Sequence, residues 1–190
     1  MPLPQEKERY TYRDYCQWSD DERWELLDGV AYSMSPAPSF RHQRVLVQLV
    51  SILNNALKGK SCIPMAAPLD VVLSDWDVVQ PDVLIICDHK KITEKNIQGA
   101  PDVIFEILSP STSRKDRWEK RALYEKFGVK EYVILDPEGN YVERFLLEED
   151  GRFNRGEVFG ENDILVLKTI PVLEIPLSEV LVMDVLIGSD

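Results

Sequence analysis

Short apolar runs separated by turn residues set the pattern of this chain. Runs of about four to eight such residues are typical of β-strands, and continuous apolar runs indicate strands buried on both faces. Asp28-Gly29 and Asp150-Gly151 each stand between two runs, which predicts a β-hairpin at each. The predicted strands are residues 24–27, 30–34, 63–66, 69–73, 83–87, 103–108, 132–135, 141–147 and 152–159.

Helical periodicity appears in two longer stretches. Ser39 is placed to cap a helix that reaches Leu57 and ends before Gly59. A second helix is expected over residues 113–127, and a short one over residues 10–18. Helices alternating with strands predict one α/β domain over residues 1–190, with a mixed sheet flanked by helices and with added β-hairpins.

The stretch from residue 99 to residue 128 carries the strongest indication of chemistry. Glu106 interrupts the apolar run of residues 103–108, and a carboxylate buried there is costly unless a cation, a metal or hydrogen-bond donors compensate it. At about 100° per residue, one face of the following helix carries the side chains of Asp116, Lys120, Leu123, Tyr124 and Phe127. This helix therefore directs a lysine towards the core.

The carboxylates of Asp82 and Glu106 are expected to meet. Asp82 opens one predicted strand, and Glu106 lies near the end of another. If the two strands pair antiparallel, the start of the first lies beside the end of the second. Two carboxylates with waters and a substrate phosphate make a common Mg²⁺ site, and Lys120 could orient water or stabilise charge on the phosphate. This arrangement favours phosphodiester hydrolysis.

Composition and charge narrow the class of protein. The chain has 190 residues, 44% hydrophobic and 29% charged, as in a soluble globular domain. We expect no membrane span and no secretion signal, because no apolar run approaches roughly 18 residues. Cys16, Cys62 and Cys87 lack metal-type spacing, and an odd number argues against a disulfide framework. These observations predict a cytoplasmic protein with no membrane partner.

The net charge of −11 is unfavourable for indiscriminate nucleic-acid binding, but it is unevenly distributed. Residues 113–130 hold seven Lys or Arg against three Asp or Glu, whereas residues 131–190 hold four against fourteen. If DNA is bound, the second helix is therefore the expected contact. The candidate side chains are those of Arg114, Lys115, Arg117 and Arg121.

Several of these motifs together resemble a known family. Pro81-Asp82, Glu106 within PDVIFEILSPST, the four-residue spacing of Asp116, Lys120 and Tyr124, and GVKEYVILDP are similar to the Uma family of restriction-endonuclease-like proteins. That family looks like a branch of the PD-(D/E)XK nuclease superfamily. The resemblance implies a restriction-endonuclease-like fold and a DNA endonuclease that uses Mg²⁺, with Mn²⁺ as an alternative.

The resemblance also implies roles for residues. Asp82, Glu106 and the backbone carbonyl of Ile107 would be metal ligands, and a homodimer is expected. The superfamily's usual lysine, two residues after the glutamate, is Leu108 here, and the resemblance suggests that Lys120 replaces it. Family members also look to carry an acidic residue where Glu25 stands, as a further ligand.

The supporting residues each have an ordinary structural interpretation. A glutamate beside a hairpin, such as Glu25, is more often solvated, and His42 at a helix start is more often a packed or hydrogen-bonded residue. Asp116 and Tyr124 would support Lys120. Two other functions stay open: a nuclease fold that binds nucleic acid or a protein partner without turnover, and a structural homo-oligomer formed through the acidic C-terminal hairpins.

Overall fold

Two β-sheets and an 18-residue helix form the framework in this computed structural model. The structure describes residues 9–19, 22–34, 37–110, 112–171 and 173–182. No helix in this part of the chain is long and apolar enough to cross a membrane.

The smaller sheet has five strands in the order β2-β1-β5-β4-β7. Its strands are β1 (Trp24–Leu27), β2 (Val30–Ser33), β4 (Val71–Ser74), β5 (Asp77–Val79) and β7 (Ile97–Gln98). The β1–β2 hairpin turns at Asp28-Gly29, as predicted, and both residues have positive φ, which Gly29 adopts without strain. Strands β5 and β7 lie outside the predicted strands.

The larger sheet has six strands in the order β11-β10-β9-β8-β6-β3, of which only β8 and β9 pair in parallel. Its strands are β3 (Ile63–Ala66), β6 (Val83–Ile86), β8 (Val103–Ile107), β9 (Glu131–Asp136), β10 (Tyr141–Leu146) and β11 (Glu157–Gly160). The sheet is therefore mixed. β10 and β11 form the added hairpin, but its second strand begins at Glu157 and not at residue 152 as predicted, and the chain around Asp150-Gly151 is joined by the isolated bridge between Leu147 and Phe153.

Helices cover both faces of the larger sheet. The helix α2 (Phe40–Leu57) is capped by Ser39, whose hydroxyl accepts a hydrogen bond from the His42 amide. Its buried stripe packs on one face of the sheet together with the C-terminal hairpin and short helix. These C-terminal elements are β12 (Ile164–Val166), β13 (Glu174–Pro176) and α4 (Leu177–Leu181).

The opposite face packs against the smaller sheet and against the helical segment that follows β8. That segment is not the uniform α-helix that the periodicity predicts, because Lys115–Lys120 is a π-helix and only α3 (Arg121–Phe127) is α-helical. Gly128 ends it in the left-handed conformation. The remaining helices are α1 (Tyr12–Tyr15), shorter than predicted, and a 3₁₀ turn at His89–Lys91.

The expectation of reduced cysteines is wrong for two of the three. Cys62 and Cys87 form a disulfide, while Cys16 is free and exposed. The two paired residues flank β3 and β6, and the register Ile63–Ile86 places them opposite each other on adjacent strands. The number of cysteines in the sequence does not predict this disulfide, because the disulfide depends on how β3 and β6 align.

Candidate active site

The strands β6 and β8 pair antiparallel, as the sequence analysis predicts. Val83 lies opposite Phe105, so Asp82 and Glu106 come next to each other at the edge where β6 begins. Glu106 is 3% exposed and lies on the face of β8 that packs against α3 and the smaller sheet. A carboxylate therefore stands within the packed layer between the two sheets.

Glu106 is held by two donors from the helical segment that follows. Its Oε1 atom accepts hydrogen bonds from Lys120 Nζ at 2.9 Å and from the Tyr124 hydroxyl at 2.7 Å. Lys120 and Tyr124 are four residues apart and share the buried face that the periodicity predicts. Asp116 lies one turn earlier, 2% exposed, with Oδ1 3.7 Å from Lys120 Nζ.

Glu25 is fully buried in the same cluster, which overturns the simple expectation that it is solvated. Its Oε1 lies 2.8 Å from Lys120 Nζ and accepts the backbone N–H of Gln80 at 3.1 Å. Its Oε2 accepts from Lys115 Nζ at 2.9 Å. The smaller sheet thus contributes one carboxylate to the group formed by β8 and the helix.

The π-helix explains why two lysines reach the same glutamate. Lys115 and Lys120 are five residues apart, and in an α-helix they would point about 140° away from each other. Hydrogen bonds from i to i+5 bring residues at that spacing onto nearly the same side, and such turns are frequent at functional sites. Lys115 can therefore bind Glu25 from beside Lys120.

Asp82 occupies the more accessible side of the group. Its Oδ2 accepts the backbone N–H of Ile107 at 2.8 Å and lies 3.2 Å from Nε2 of His42, at the start of α2. The Asp82 side chain stays 20% exposed. Among the described residues, Nδ1 of His42 is the buried side-chain polar atom without a hydrogen-bond partner.

Burial and crowding of charge perturb the ionisation of these groups. Burial raises the pKa of Glu106 to about 8; Lys120 opposes this shift, and the carboxylates of Asp116, Asp82 and Glu25 add to it. Burial alone would raise the pKa of Glu25 as well, but the ammonium groups of Lys120 and Lys115 outweigh it and the pKa is lowered. The pKa of Lys120 is raised well above its usual value, because its carboxylate partners outweigh desolvation.

The metal set implied by the resemblance is only partly assembled. In the described part of the chain, no group of three or more His, Cys, Asp or Glu side chains is arranged to hold a metal ion. Mg²⁺, however, is usually bound through one or two carboxylates, with waters and substrate oxygens completing its shell. Asp82 and Glu106, which are neighbours in the strand register, supply oxygen donors of that kind.

Most of the proposed DNA-contacting side chains have partners within the protein. Lys115 binds Glu25, and Arg117 is bound to Glu143 and, at 2.7 Å, to the hydroxyl of Tyr141. The Arg121 guanidinium lies 4.1 Å from the ring centre of Phe145. Arg114 is exposed and extends the same surface.

Sequence reasoning missed three contributors to this group. The sequence places Lys115 among the DNA-contacting residues and not beside Glu25, and Gln80, whose backbone N–H donates to Glu25, belongs to no motif. Tyr132 donates its hydroxyl to the carbonyl of Asp116 at 3.0 Å and is fully buried. A tyrosine within the apolar run of residues 132–135 was the available signal, since a buried hydroxyl requires a partner.

Comparison with known proteins finds similarity along most of the chain. Residues 11–178 match the model of the Uma2 family, which is described as "putative restriction endonuclease". The uncharacterized protein slr1290 of Synechocystis sp. is 27% identical over 142 residues, which cover 73% of this chain and 74% of that protein.

A solved structure shares the fold. It is described as a "putative nuclease belonging to DUF820" from Anabaena variabilis, and it superimposes with a TM-score of 0.75 at 19% identity. The match covers 90% of this chain and 97% of the other. The α/β fold with mixed sheets flanked by helices is therefore the fold of that protein too.

Proposed function

The chain belongs to the Uma2 family, and from this premise we propose that it is a Mg²⁺-dependent endonuclease that hydrolyses phosphodiester bonds of DNA. The observation that carries the proposal is that Glu106, Asp82 and Lys120, from three separate elements, come together at one end of the paired strands β6 and β8. A buried ion pair is costly to build, and a glutamate with a strongly perturbed pKa beside a charge partner is a candidate functional group.

Asp82 and Glu106, with the carbonyl of Ile107, would hold the metal. Mg²⁺ bound there would polarise the phosphate and acidify a bound water. The backbone N–H of Ile107 fixes one oxygen of Asp82, and the Tyr124 hydroxyl fixes one oxygen of Glu106. Both carboxylates are thus oriented by hydrogen bonds before a ligand arrives.

Lys120 replaces the lysine that is missing at Leu108. Its ammonium lies between Glu106 and Glu25, where it would stabilise negative charge developing on a phosphate. Glu25 and Asp116 keep it protonated and fix its position, and Lys115 balances the charge of Glu25.

The DNA would approach over the face that carries Arg114. We retain Lys115, Arg117 and Arg121 as part of that face, although their internal contacts reduce what they can offer to a phosphate. We also propose a homodimer and a cytoplasmic location, where DNA is accessible. The Cys62–Cys87 disulfide is the feature that argues against a reducing compartment.

A second function has one specific observation in its favour. Lys120 is bound to three carboxylates, and Leu108 occupies the usual position of the catalytic lysine. A nuclease fold that is retained only for binding would tolerate both features. Such a module would bind nucleic acid or a protein partner without turnover.

Nicking of supercoiled plasmid separates the two functions. The purified protein should nick plasmid with Mg²⁺ or Mn²⁺ and not with EDTA, and Glu106→Gln should abolish nicking while the thermal unfolding transition is retained. Glu149→Gln, an exposed glutamate of the β10–β11 connection, is the matched control and should nick at the wild-type rate. Equal activity of Glu106→Gln and wild type would remove the proposed function, and no nicking by a folded wild type would favour the binding module.

A further inference from the structure

A cavity of about 510 Å³ lies next to the N-terminal segment, at the end of the smaller sheet where β1 begins and β5 ends. Four aromatic side chains line it: Tyr12, Tyr15, Trp18 and Trp24. The ring centres of Trp18 and Trp24 are 5.8 Å apart with the planes at 69°, and Tyr15 lies 5.5 Å from Trp18. The cavity thus presents several ring faces and edges to a planar ligand.

The polar part of the lining is a fixed hydrogen-bond network. Gln80 Oε1 accepts from Arg23 Nη2 at 2.7 Å, and Gln80 Nε2 donates to Asp70 Oδ1 at 2.9 Å. The hydroxyl of Tyr15 donates to the same oxygen of Asp70 at 2.8 Å. Gln80 is 7% exposed, so this network is built into the wall rather than spread over the surface.

Charge in the cavity is balanced. Arg23 and Lys95 contribute two cations, and Glu22 and Asp70 contribute two carboxylates. A phosphate would meet as much negative as positive charge there. An uncharged planar ligand with hydrogen-bonding edges fits better, because carboxylates and amides can pair with its amino and carbonyl groups.

The cavity meets the carboxylate cluster of Glu25, Asp82, Glu106 and Asp116 at Gln80. Trp24 lines the cavity, whereas Glu25, the next residue of β1, points to the opposite face of that strand. Gln80 links the two sides, because it lines the cavity and its backbone N–H donates to Glu25 Oε1 at 3.1 Å. Asp82 follows Gln80 two residues later. The Cα atoms of residues 80 and 82 can be at most about 7 Å apart, which is comparable with the reach of one nucleotide.

We propose that this cavity binds a single unpaired nucleobase of a DNA strand whose backbone runs past Asp82 and Glu106. The base would stack on Trp24 or Trp18, and its edge would pair with the network around Gln80. The inference deepens the proposed function, since it names an unpaired position next to the cleaved bond as the substrate feature. Enzymes that modify bases take them out of the stack, and proteins that bind single strands stack the bases on aromatic side chains.

Binding without cleavage tests the proposal. Fluorescence anisotropy in EDTA compares a labelled single-stranded oligonucleotide with the same backbone in which every base is replaced by an abasic spacer. The wild type should bind the intact strand about tenfold more tightly than the abasic strand, as expected for stacking of one base. Trp24→Ala should reduce that ratio to near one.

Two tryptophan variants serve as controls. Trp76→Ala lies in the turn between β4 and β5, and Trp118→Ala lies on the exposed face of the π-helix. Both should keep the tenfold ratio. Equal binding of both strands by the wild type, or loss of the ratio in Trp118→Ala with retention in Trp24→Ala, would overturn the proposal.

A measurement on the wild type covers the case in which Trp24→Ala does not fold. A single 2-aminopurine in the strand should lose fluorescence on binding when it stacks in the cavity, and unchanged fluorescence at every position would overturn the proposal. Neither experiment needs catalysis. Base-dependent binding without plasmid nicking would remove only the proposed activity, whereas nicking without base-dependent binding would remove only this inference.

Discussion

Glu106, the proposed metal ligand, has a protonation state that opposes metal binding. Its pKa is raised to about 8 by burial and by neighbouring carboxylates, so at neutral pH most molecules carry a proton there. A carboxylate must lose that proton to ligate a metal. The pH therefore enters the metal affinity directly.

We predict that the apparent affinity for Mn²⁺ rises by about tenfold per pH unit up to about pH 8 and is nearly constant above it, because one proton leaves Glu106 for each ion bound. Calorimetric titrations across this range measure the effect. Glu106→Gln is the control and should bind weakly with no such slope. A flat affinity between about pH 6 and 8 would contradict this assignment.

Lys120 and Lys115 both bind Glu25, but their burial differs. The Lys120 side chain is 4% exposed and has three carboxylate partners, whereas the Lys115 side chain is 17% exposed and has Glu25 as its partner. Removing one partner of a buried pair leaves an uncompensated charge, which costs far more than losing a more accessible pair.

Lys120→Met is therefore expected to lower the free energy of unfolding by about 3–5 kcal/mol, and Lys115→Met by roughly 1 kcal/mol. Urea denaturation at neutral pH measures both values. Adding Glu25→Gln to Lys120→Met should recover part of the loss, because Glu25 has a lowered pKa and is the ionised carboxylate that loses Lys120 as a partner. Equal losses in the two lysine variants would contradict the burial argument.

At the scale of elements, the basic side chains of the helical segment after β8 have two roles, which the number of Lys and Arg residues does not distinguish. Arg117 connects it to β9 and β10 through Asp136, Glu143 and Tyr141. Arg114 is exposed one turn earlier. The first arginine holds the segment on the larger sheet, and the second is available to a ligand.

Alanine variants of Arg114 and Arg117 should distinguish these two roles. Arg114→Ala is expected to weaken DNA binding at all sequences and to reduce the salt slope by about one. Arg117→Ala is expected to lower the unfolding free energy by roughly 1 kcal/mol with a smaller change in that slope. Anisotropy at several salt concentrations and urea denaturation measure the two effects; the reverse assignment would show that Arg117 is the phosphate contact.

The sequence predicts much of the larger sheet and of the site that depends on it. Strand 103–108 is marked by its apolar run, and a single antiparallel pairing is enough to bring Asp82 to Glu106. The buried face of the following helix is predicted by its period, so Lys120 and Tyr124 are placed correctly.

Features that depend on distant or irregular contacts could not be predicted. Glu25 is buried because β1 pairs with β5, about fifty residues away, and the sequence around Glu25 does not predict that pairing. Lys115 reaches Glu25 only because the helix is a π-helix there, which a 100° period does not describe. The disulfide likewise requires the alignment of β3 with β6.

For the molecule as a whole, the charge would make the proposed DNA binding selective rather than general. The net charge is −11, and several cations of the basic segment are bound to carboxylates inside the protein. Phosphate attraction is the main source of non-specific affinity, so it should be weak here. Affinity would then depend on contacts such as base stacking, which do not require positive charge.

The Cys62–Cys87 disulfide joins two residues that are 25 positions apart in the sequence. Closing a loop of that size is expected to stabilise the protein by about 3 kcal/mol, because it restricts the unfolded chain. Reductant should therefore lower the unfolding free energy of the wild type by this amount and leave a Cys62→Ala, Cys87→Ala double variant unchanged, as measured by urea denaturation. Cys87 follows the end of β6 opposite to Asp82, so reduction should preserve plasmid nicking under native conditions. A wild type insensitive to reductant would show that the bond contributes no stability.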